Sequence, residues 1–372
     1  IFSSLLNEAA QAMGLDYSFD ATSYYFLYDK ATAYDVVLTA PQINYKYKKI
    51  VNCLPRKLIL QMPTVTFAQN NAFEMLNVLN QEMEAYKIRK VQEDSPNLVH
   101  DCSQSSMQDL IIAVGSICGS ENFRSYGRVY DGDRIVMEDA QVKPRKFGAN
   151  YMDILDNLLF QIQKQWDQKG PEPTVAMISV VLPGELNNGK WTLFGTEYLC
   201  EDLKEQLEER YGVPVELNNN SNASALGYSL QHPEYQSVLF YSHPYRVPNG
   251  GMGLVIDGSV LKGRTGRAGE VHYFTPSMKT SGSPEELCRT EQGMVELVMQ
   301  ELLPALSLFD PDVVAVRSPM TSDMEELKEN IGISIPGMAL PEFVYIPDME
   351  TCMLEGCREL GMRALKSGKQ QA

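Results

Sequence analysis

Apolar residues in the first ninety positions alternate between helical spacing and short apolar runs. Leu5, Leu6, Ala9 and Met13 fall on one side of a helix that Gly14 would end, which predicts a helix over residues 1–14. The pattern then predicts, in order, a strand over 16–19, a strand over 35–42, a helix over 45–53, a strand over 58–61 and a helix over 70–86. Strands that alternate with helices at this spacing predict a small parallel α/β sheet.

A second series of elements begins near residue 109. It predicts a strand over 109–120, a hairpin with Asp131-Gly132 at its turn, a helix over 152–166, a buried strand over 175–184, a helix over 201–210 and a strand over 213–217. A small-residue helix, a second hairpin at Asp257-Gly258, a helix and strand within 302–316 and a helix over 353–366 follow. The Ser/Gln-rich stretch 93–108 separates the two series, so we expect a domain over 1–92, a linker over 93–108 and a domain over 109–372.

Composition and charge narrow the class of protein. The 372 residues are 44% hydrophobic and 22% charged, which is typical of a globular protein of two or three domains, and no apolar run reaches the length of a membrane span. The net charge of −16 argues against nucleic acid as a partner. Residues 1–98 carry nine Lys/Arg and ten Asp/Glu, a charge of −1, which leaves −15 for the rest and indicates two differently charged parts. The seven cysteines show no metal-ligand spacing, so we expect free thiols in a reducing cytoplasm.

Two stretches of the second series carry a resemblance to a known family. YGVPVELNNNSNASALG (211–227) reads as a strand, a polar run and a small-residue helix, and GGMGLVIDGSVLKGRTGRAGEVHY (250–273) as a Gly-rich hairpin and turn. They resemble the ROK family of sugar kinases and transcriptional repressors, with its N-D-A-N-A-A-A and G-x-x-G-x-A-G-E motifs. The matching positions are Asn219, Asn222, Ala223, Ala225, Gly227, Gly253, Gly258, Gly263, Gly266, Ala268, Gly269 and Glu270. The resemblance covers roughly 109–366 and implies an actin-like, ribonuclease-H-like fold with lobes of roughly 109–220 and 221–372.

The chain departs from the family at each position that handles phosphate. Asn220 stands where the family's kinases have their catalytic aspartate, and an amide lacks the basicity that a general base needs. In the first phosphate loop Ser116 replaces the aspartate, Cys118 a glycine and Ser120 the threonine. In place of the second loop, residues 242–249 read SHPYRVPN, and two prolines would block close backbone approach to phosphate. These losses predict no catalytic residues and no nucleotide cofactor.

The resemblance still implies a sugar site. Its expected residues are Gly184, Asn219, Asn220 and Glu270, with amide and carboxylate groups for sugar hydroxyls. An alternative for 218–222 is a well-capped helix start without a ligand. The family's structural zinc is not expected, because His272 falls one residue early and Cys288 alone remains of the cysteine cluster.

The first series carries a second resemblance. DVVLTAPQINYKYKKI (35–50) resembles the cytoplasmic IIB component of the lactose/cellobiose type of sugar phosphotransferase system (PTS), over roughly 1–90. In that family a cysteine in a loop before the first helix carries the phosphoryl group. The alignment places that loop before Ile1, and Cys53 does not match it. A plain strand-to-helix turn at Ala40-Pro41-Gln42 is the alternative.

Three functions are consistent with these features. The first is a cytoplasmic, non-catalytic carbohydrate-sensing regulator, a ROK-like pseudokinase that binds a sugar or sugar phosphate and is fused to a IIB-like domain. The second is an active PTS phosphocarrier with the ROK-like region as a scaffold, which requires a cysteine before Ile1. The third, an ATP-dependent sugar kinase, requires every phosphate-loop loss to be tolerated. Other PTS components and a second copy of the chain are the expected protein partners.

Overall fold

The computed structural model describes residues 2–24, 27, 31, 34–54, 57–93, 109–120, 122–145, 151–165, 173–187, 190–193, 199–271 and 280–371. The chain divides into two compact units, 1–105 and 106–372. The division falls inside the predicted linker, of which residues 94–108 lie outside the described part. No helix among the described residues is long and apolar enough to cross a membrane.

The first unit is a small α/β assembly around two parallel strands. Its elements are α1 (Phe2–Ala12), β1 (Val36–Thr39), a 3₁₀ turn (Pro41–Lys46), α2 (Tyr47–Cys53), β2 (Leu58–Gln61), α3 (Thr64–Ala68) and α4 (Ala72–Glu93). β1 and β2 pair in parallel, from Val36 opposite Leu58 to Thr39 opposite Gln61. Leu6 and Ala10 of α1 pack with Met75 and Leu76 of α4 in the core of the unit.

The predicted strand over residues 16–19 is wrong. These residues belong to no strand of the structure. The Phe19 N–H donates to the side-chain oxygen of Asn7 at 2.8 Å, and the Asn7 amide donates to the Phe19 carbonyl at 2.9 Å. A side chain of α1 therefore meets the backbone groups of Phe19 that strand pairing would use.

The second unit contains two five-stranded sheets. The first has the order β10-β6-β3-β4-β5, with β3 (Leu110–Cys118), β4 (Asn122–Asp131), β5 (Arg134–Pro144), β6 (Val175–Leu182) and β10 (Val215–Asn219). Strands β3, β6 and β10 are parallel, whereas β3, β4 and β5 form antiparallel hairpins. A small sheet of β7 (Glu185–Asn187), β8 (Lys190–Thr192) and β9 (Leu199–Cys200) follows β6, and helices α5 (Tyr151–Gln165) and α6 (Leu203–Tyr211) complete this part.

The second sheet has the order β13-β12-β11-β14-β15. Its elements are α7 (Asn220–Gln231), β11 (Ser237–Ser242), β12 (Gly251–Ile256), β13 (Ser259–Val260), α8 (Pro284–Leu287), α9 (Glu291–Phe309), β14 (Val313–Arg317), α10 (Met324–Ser334), β15 (Glu342–Tyr345) and α11 (Met349–Gln371). β11 pairs in parallel with β14 and antiparallel with β12. Two sheets of mixed direction with helices between and around them confirm the predicted α/β class.

Helices α7 and α11 cross in close contact between the sheets. A Cβ on Gly227 would lie 1.8 Å from the Cys352 carbonyl oxygen, and one on Gly356 would lie 1.8 Å from the Ala223 carbonyl oxygen, so both positions require glycine. The Cys357 thiol of α11 donates to the Ser179 carbonyl of β6 at 3.2 Å. We expected α11 to belong to the second lobe, residues 221–372. The structure shows that it also packs on the first sheet.

Candidate functional site

The predicted polar run forms the junction between β10 and α7. Asn219 has extended backbone angles (φ −75°, ψ 142°) and is the N-cap of α7. Its Oδ1 accepts hydrogen bonds from the N–H groups of Ser221 at 2.7 Å and Asn222 at 3.2 Å. These bonds satisfy backbone donors that the first turn of a helix leaves unpaired. The cap explains why strand and helix meet without a loop.

The Asn219 amide also links the junction to two segments that are distant in sequence. Its Nδ2 donates to the Gly184 carbonyl at 2.8 Å and to Glu270 Oε1 at 3.3 Å. The structure thus brings three of the predicted site residues together. Two donors and two acceptor positions exhaust the hydrogen-bonding capacity of an amide side chain. Asn219 therefore serves as a helix cap that organises the site, and a ligand could engage it by replacing its longest contact, the one to Glu270.

Backbone geometry requires glycine at two positions beside Asn219. Gly184 has φ +93°, and a Cβ there would lie 2.4 Å from the Thr192 carbonyl oxygen. Gly269, which precedes Glu270, has φ +90°, and a Cβ there would lie 2.3 Å from the Met252 carbonyl oxygen. Both residues therefore combine a left-handed conformation with close backbone contact, which L side chains do not tolerate.

The Glu270 carboxyl lies in an environment that favours its protonated form. Burial, reinforced by the neighbouring Glu185 carboxylate, raises the pKa of Glu270 to about 7, although Arg267 acts in the opposite direction. Glu185 is itself buried at the start of β7 and forms an ion pair with Arg267. Near neutral pH the Glu270 carboxyl therefore exists in both forms and can donate as well as accept hydrogen bonds.

Asn220 occupies a different position from the other three predicted residues. It is buried at the first position of α7, and its Nδ2 donates to the Ser116 carbonyl at 3.0 Å. The Ser116 hydroxyl in turn lies 2.7 Å from the Ser125 hydroxyl in the adjacent strand, and both serines are fully buried. The side chain at the position of the kinases' aspartate is thus engaged with the strand that matches the first phosphate loop. An amide in this role supplies no proton acceptor for a sugar hydroxyl.

The segment that matches the second phosphate loop is closed by a buried network. The Tyr241 hydroxyl donates to Glu301 Oε2 at 2.6 Å and lies 3.0 Å from His243 Nδ1. His243 Nε2 lies 2.8 Å from the Val247 carbonyl, and the Gly250 N–H donates to Glu301 Oε2 at 3.1 Å. Burial lowers the pKa of His243, although Glu301 and the Val247 carbonyl raise it. The network ties His243 and Gly250 to Glu301 of α9, directly or through Tyr241.

An ionic cluster links the two strands next to these phosphate-loop segments. Arg124 follows the first segment on β4, Arg317 ends β14, and both are buried. Both lower the pKa of Glu350, in the first turn of α11; together with a hydrogen bond to Asp348 they outweigh the opposing effect of burial and bring it to about 2. The Tyr126 hydroxyl also donates to Glu350 Oε1 at 2.8 Å. The cluster therefore places two arginines and a glutamate next to residues 116–120 and 242–249.

Sequence reasoning missed three residues around the site. Glu185 and Arg267 were missed because their ion pair joins positions 82 residues apart, although Arg267 lies within the matched G-x-x-G-x-A-G-E motif. The third is Asn222, which matches the family's second asparagine. Its Oδ1 is buried and accepts no hydrogen bond from the described part of the protein. The described residues contain no cluster of three metal-ligating side chains, and His272 lies outside them.

The fold and the site together define a class: a two-sheet α/β protein with polar side chains gathered where β10 meets α7. Residues 128–289 match the model of the ROK family.

Solved and curated proteins are also similar to parts of this chain. The chain is similar in fold to a ROK hexokinase from Thermus thermophilus, at a TM-score of 0.51 and 20% identity over 70% of this chain and 100% of that one. A xylose repressor from Bacillus subtilis (strain 168) is 23% identical over 137 residues, and a protein assigned as a xylose repressor in Caldicellulosiruptor sp. (strain Rt8B.4) is 30% identical over 137 residues. Each match covers 35% of this chain, which spans about a third of either relative, 35% and 33% of their lengths.

Proposed function

We propose that the second unit binds a sugar or sugar phosphate without phosphorylating it and acts as a carbohydrate-sensing regulator, a pseudokinase. The observation that carries this proposal is the pairing of the Asn220 amide with the Ser116 carbonyl. A kinase of this fold would need a base at that position, and general-base assistance is worth roughly 100- to 10,000-fold in rate. Here the position is occupied by a neutral group that already donates a hydrogen bond to the protein.

The two halves of the site support binding without catalysis. Around Asn219, the carboxyl of Glu270 and the Oδ1 of Asn222, which accepts no hydrogen bond from the described residues, would provide groups for sugar hydroxyls. At the segment matching the second phosphate loop, the polar groups of Tyr241, His243 and Glu301 are bonded to one another. Both curated relatives are named as xylose repressors, so xylose is the first sugar to test.

We also propose, on the resemblance at residues 35–50, that the first unit is related to the PTS IIB component. Two features support it: β1 and β2 are parallel, and Ala40-Pro41-Gln42 leads from β1 directly into a helical turn. Sugar binding by the second unit would then report to a PTS-related partner in the cytoplasm.

The test is a calorimetric titration of the full chain with xylose, glucose, N-acetylglucosamine and their phosphates. We expect one of these to bind, and Glu270→Ala to weaken that binding about tenfold, since a buried hydroxyl partner left unpaired costs roughly 1–3 kcal/mol. Glu209→Ala, at an exposed position on α6, is the matched control and should bind like the native chain. Absence of binding by every sugar, or equal binding by the Glu270→Ala variant, would refute the proposal.

A further inference from the structure

The network of Tyr241, His243 and Glu301 is joined by three short contacts between buried polar atoms. The Tyr241 hydroxyl lies 2.6 Å from Glu301 Oε2 and 3.0 Å from His243 Nδ1, and His243 Nε2 lies 2.8 Å from the Val247 carbonyl. Both ring nitrogens of His243 thus have a polar partner, and the opposite ring orientation would put C–H groups in both places. All three side chains are buried. Each contact needs one proton if it is to be a hydrogen bond.

A neutral imidazole and an ionised carboxylate leave the network one proton short. The Val247 carbonyl can only accept, so His243 keeps a proton on Nε2, and the Nδ1 of a neutral ring then carries a lone pair. The Tyr241 hydroxyl has one proton, and burial together with Glu301 raises the pKa of Tyr241 well above its usual value, so it stays protonated. That proton can bond either His243 Nδ1 or the Glu301 carboxylate. Whichever contact it leaves brings two lone pairs together in a buried place.

One additional proton completes all three contacts. It can rest on His243, which gives an imidazolium opposite a carboxylate, or on Glu301, whose carboxyl then donates to Tyr241 while Tyr241 donates to His243 Nδ1. Burial lowers the pKa of His243 and so favours the second arrangement, in which no group is charged. The bond between Tyr241 and Glu301 then has the opposite direction to the one in the ionised network. The Gly250 N–H keeps Glu301 Oε1 as an acceptor, at 3.3 Å.

The other charged groups near the network are engaged elsewhere. The Arg317 carbonyl, at the end of β14, accepts from the His243 N–H at 2.9 Å, whereas the Arg317 side chain acts on Glu350 of α11. The guanidinium of Arg246, within residues 243–250, lies over a tyrosine ring, 5.7 Å from its centroid. Among the charged side chains of the described residues, Glu301 is the one that shifts the pKa of both the tyrosine and the histidine. The proton balance is therefore set within the network.

We propose that the network holds this additional proton, and that its release as the pH rises loosens the ties of His243 and Gly250 to α9. A group that binds a proton in the folded state contributes stability that is present at low pH and is lost as the pH rises through its pKa in that state. The segment 243–250 is thus fastened by a proton-dependent latch, which is strongest in acid. The latch does not depend on sugar binding.

The variant Glu301→Gln separates this proposal from a network with ordinary protonation. Glutamine resembles the protonated carboxyl, because its amide N–H can donate to Tyr241 and its oxygen can accept from Gly250, but it does not ionise. We expect the variant to be about as stable as the native chain at pH 5 and more stable at pH 8. Once the proton is released, the unfolding constant of the native chain should rise relative to the variant by up to about tenfold per pH unit. Chemical denaturation of both full chains between pH 5 and pH 8 measures this difference, in which the contribution of Glu270 cancels because both chains share it.

A measurement on the native chain tests the same proton directly. We expect the ring ¹⁵N signal of His243 Nδ1 to change between pH 5 and pH 8, while Nε2 stays protonated; the chain has four histidines, so His243→Asn assigns the signal. Glu329→Gln, at an exposed position on α10, is the control for denaturation and should differ from the native chain by an amount that does not vary with pH. A Glu301→Gln difference that stays constant from pH 5 to pH 8 would overturn the proposal. An Nδ1 signal that does not change over this range would overturn it as well.

Discussion

Two polar regions of the second unit, one around Asn219 and one around His243, are organised in different ways. Around Asn219 lie the Glu270 carboxyl, whose pKa of about 7 leaves it in both protonation forms near neutral pH, and the buried Oδ1 of Asn222, which accepts no hydrogen bond from the residues that the structure describes. Around His243, the tyrosine, histidine and glutamate side chains bond to one another and to the backbone of residues 247 and 250. Polar groups that bond to each other contribute to folding, whereas polar groups held without full partners are available to a ligand.

This contrast is the basis of our proposal that the second unit binds a sugar without phosphorylating it. The Asn219 cap, Gly184 and Gly269 are required by the fold itself, because they form the junction and the turns on which the site is built. Around His243, by contrast, the structure shows a network of side chains bonded to one another and to the backbone. The four predictions below test whether the two regions respond to substitution in these opposite ways.

The largest effect is expected from Glu301→Ala in the closed region. It removes the acceptor of the half-buried Gly250 N–H and one of the two partners of the buried Tyr241 hydroxyl, at a cost of about 2 kcal/mol in the free energy of unfolding. Chemical denaturation measures this loss. Glu329→Ala, at an exposed position on α10, is the control and should change stability by less than about 0.5 kcal/mol. A small effect of Glu301→Ala would mean that the network does not close this region.

Asn220→Asp should be destabilising rather than restore activity. At neutral pH it sets a carboxylate against the Ser116 carbonyl in a buried position, which costs roughly 2 kcal/mol. The cost should shrink at low pH, because a protonated carboxyl can donate to the carbonyl again. Chemical denaturation at pH 4 and pH 8 measures this difference, and the loss of stability should be larger at pH 8. The matched control is Asn330→Asp, which loses an amide-to-carbonyl bond of 2.9 Å in an exposed position and should show little change with pH.

The Glu270 carboxyl should make stability depend on pH. Its pKa in the folded protein, about 7, lies above the ordinary value of 4.5, so it favours folding below pH 4.5 and loses that contribution as pH rises through 7. Glu270→Gln removes the ionisation and should therefore be more stable than the native chain at pH 8, by roughly 2 kcal/mol, and similar to it at pH 4. Melting temperatures of the native chain and of Glu270→Gln between pH 4 and pH 8 measure this difference. Glu209→Gln is the control at an exposed position. A Glu270→Gln difference that does not vary with pH would contradict the assigned environment.

The smallest effect on folding is expected from Glu270→Ala, without ligand and near pH 5. The carboxyl is protonated there, and its contact with Asn219 is the longest of the four that this amide makes, so the melting temperature should fall by only a few degrees. The same variant should lose about tenfold in sugar affinity. If Glu270 contacts the ligand, the variant should lose sugar affinity while its melting temperature changes little. A large fall in melting temperature together with the loss of affinity would indicate that Glu270 has a structural role.

Local elements could be predicted from sequence where spacing and turn residues agree. The strand Leu58–Gln61 has the predicted bounds, and the strand before the polar run begins two residues later than expected, at Val215. The strand predicted over 16–19 is absent, and the backbone N–H and carbonyl of Phe19 are bonded by the Asn7 side chain of α1 and not by a neighbouring strand. The apolar pattern of a segment does not show which groups will form hydrogen bonds with its backbone.

Of the candidate site, only the residues that lie in sequence motifs could be predicted. Gly184, Asn219 and Glu270 meet as the resemblance implies, but the role of Asn219 as a fully bonded cap depends on two segments that are distant in sequence. The Tyr241–His243–Glu301 network joins residues 60 positions apart and corresponds to no motif. Such contacts are set by the packing of α9 and β11, which periodicity does not specify.

The most direct test of the central claim is one calorimetric titration of the full chain, first with the sugar that binds and then with ATP and Mg²⁺ in the same cell. We expect a binding isotherm for the sugar, no heat from ATP beyond dilution, and no sugar phosphate when the mixture is analysed by chromatography. Binding of ATP, or any sugar phosphate above the level of a protein-free control, would contradict the account.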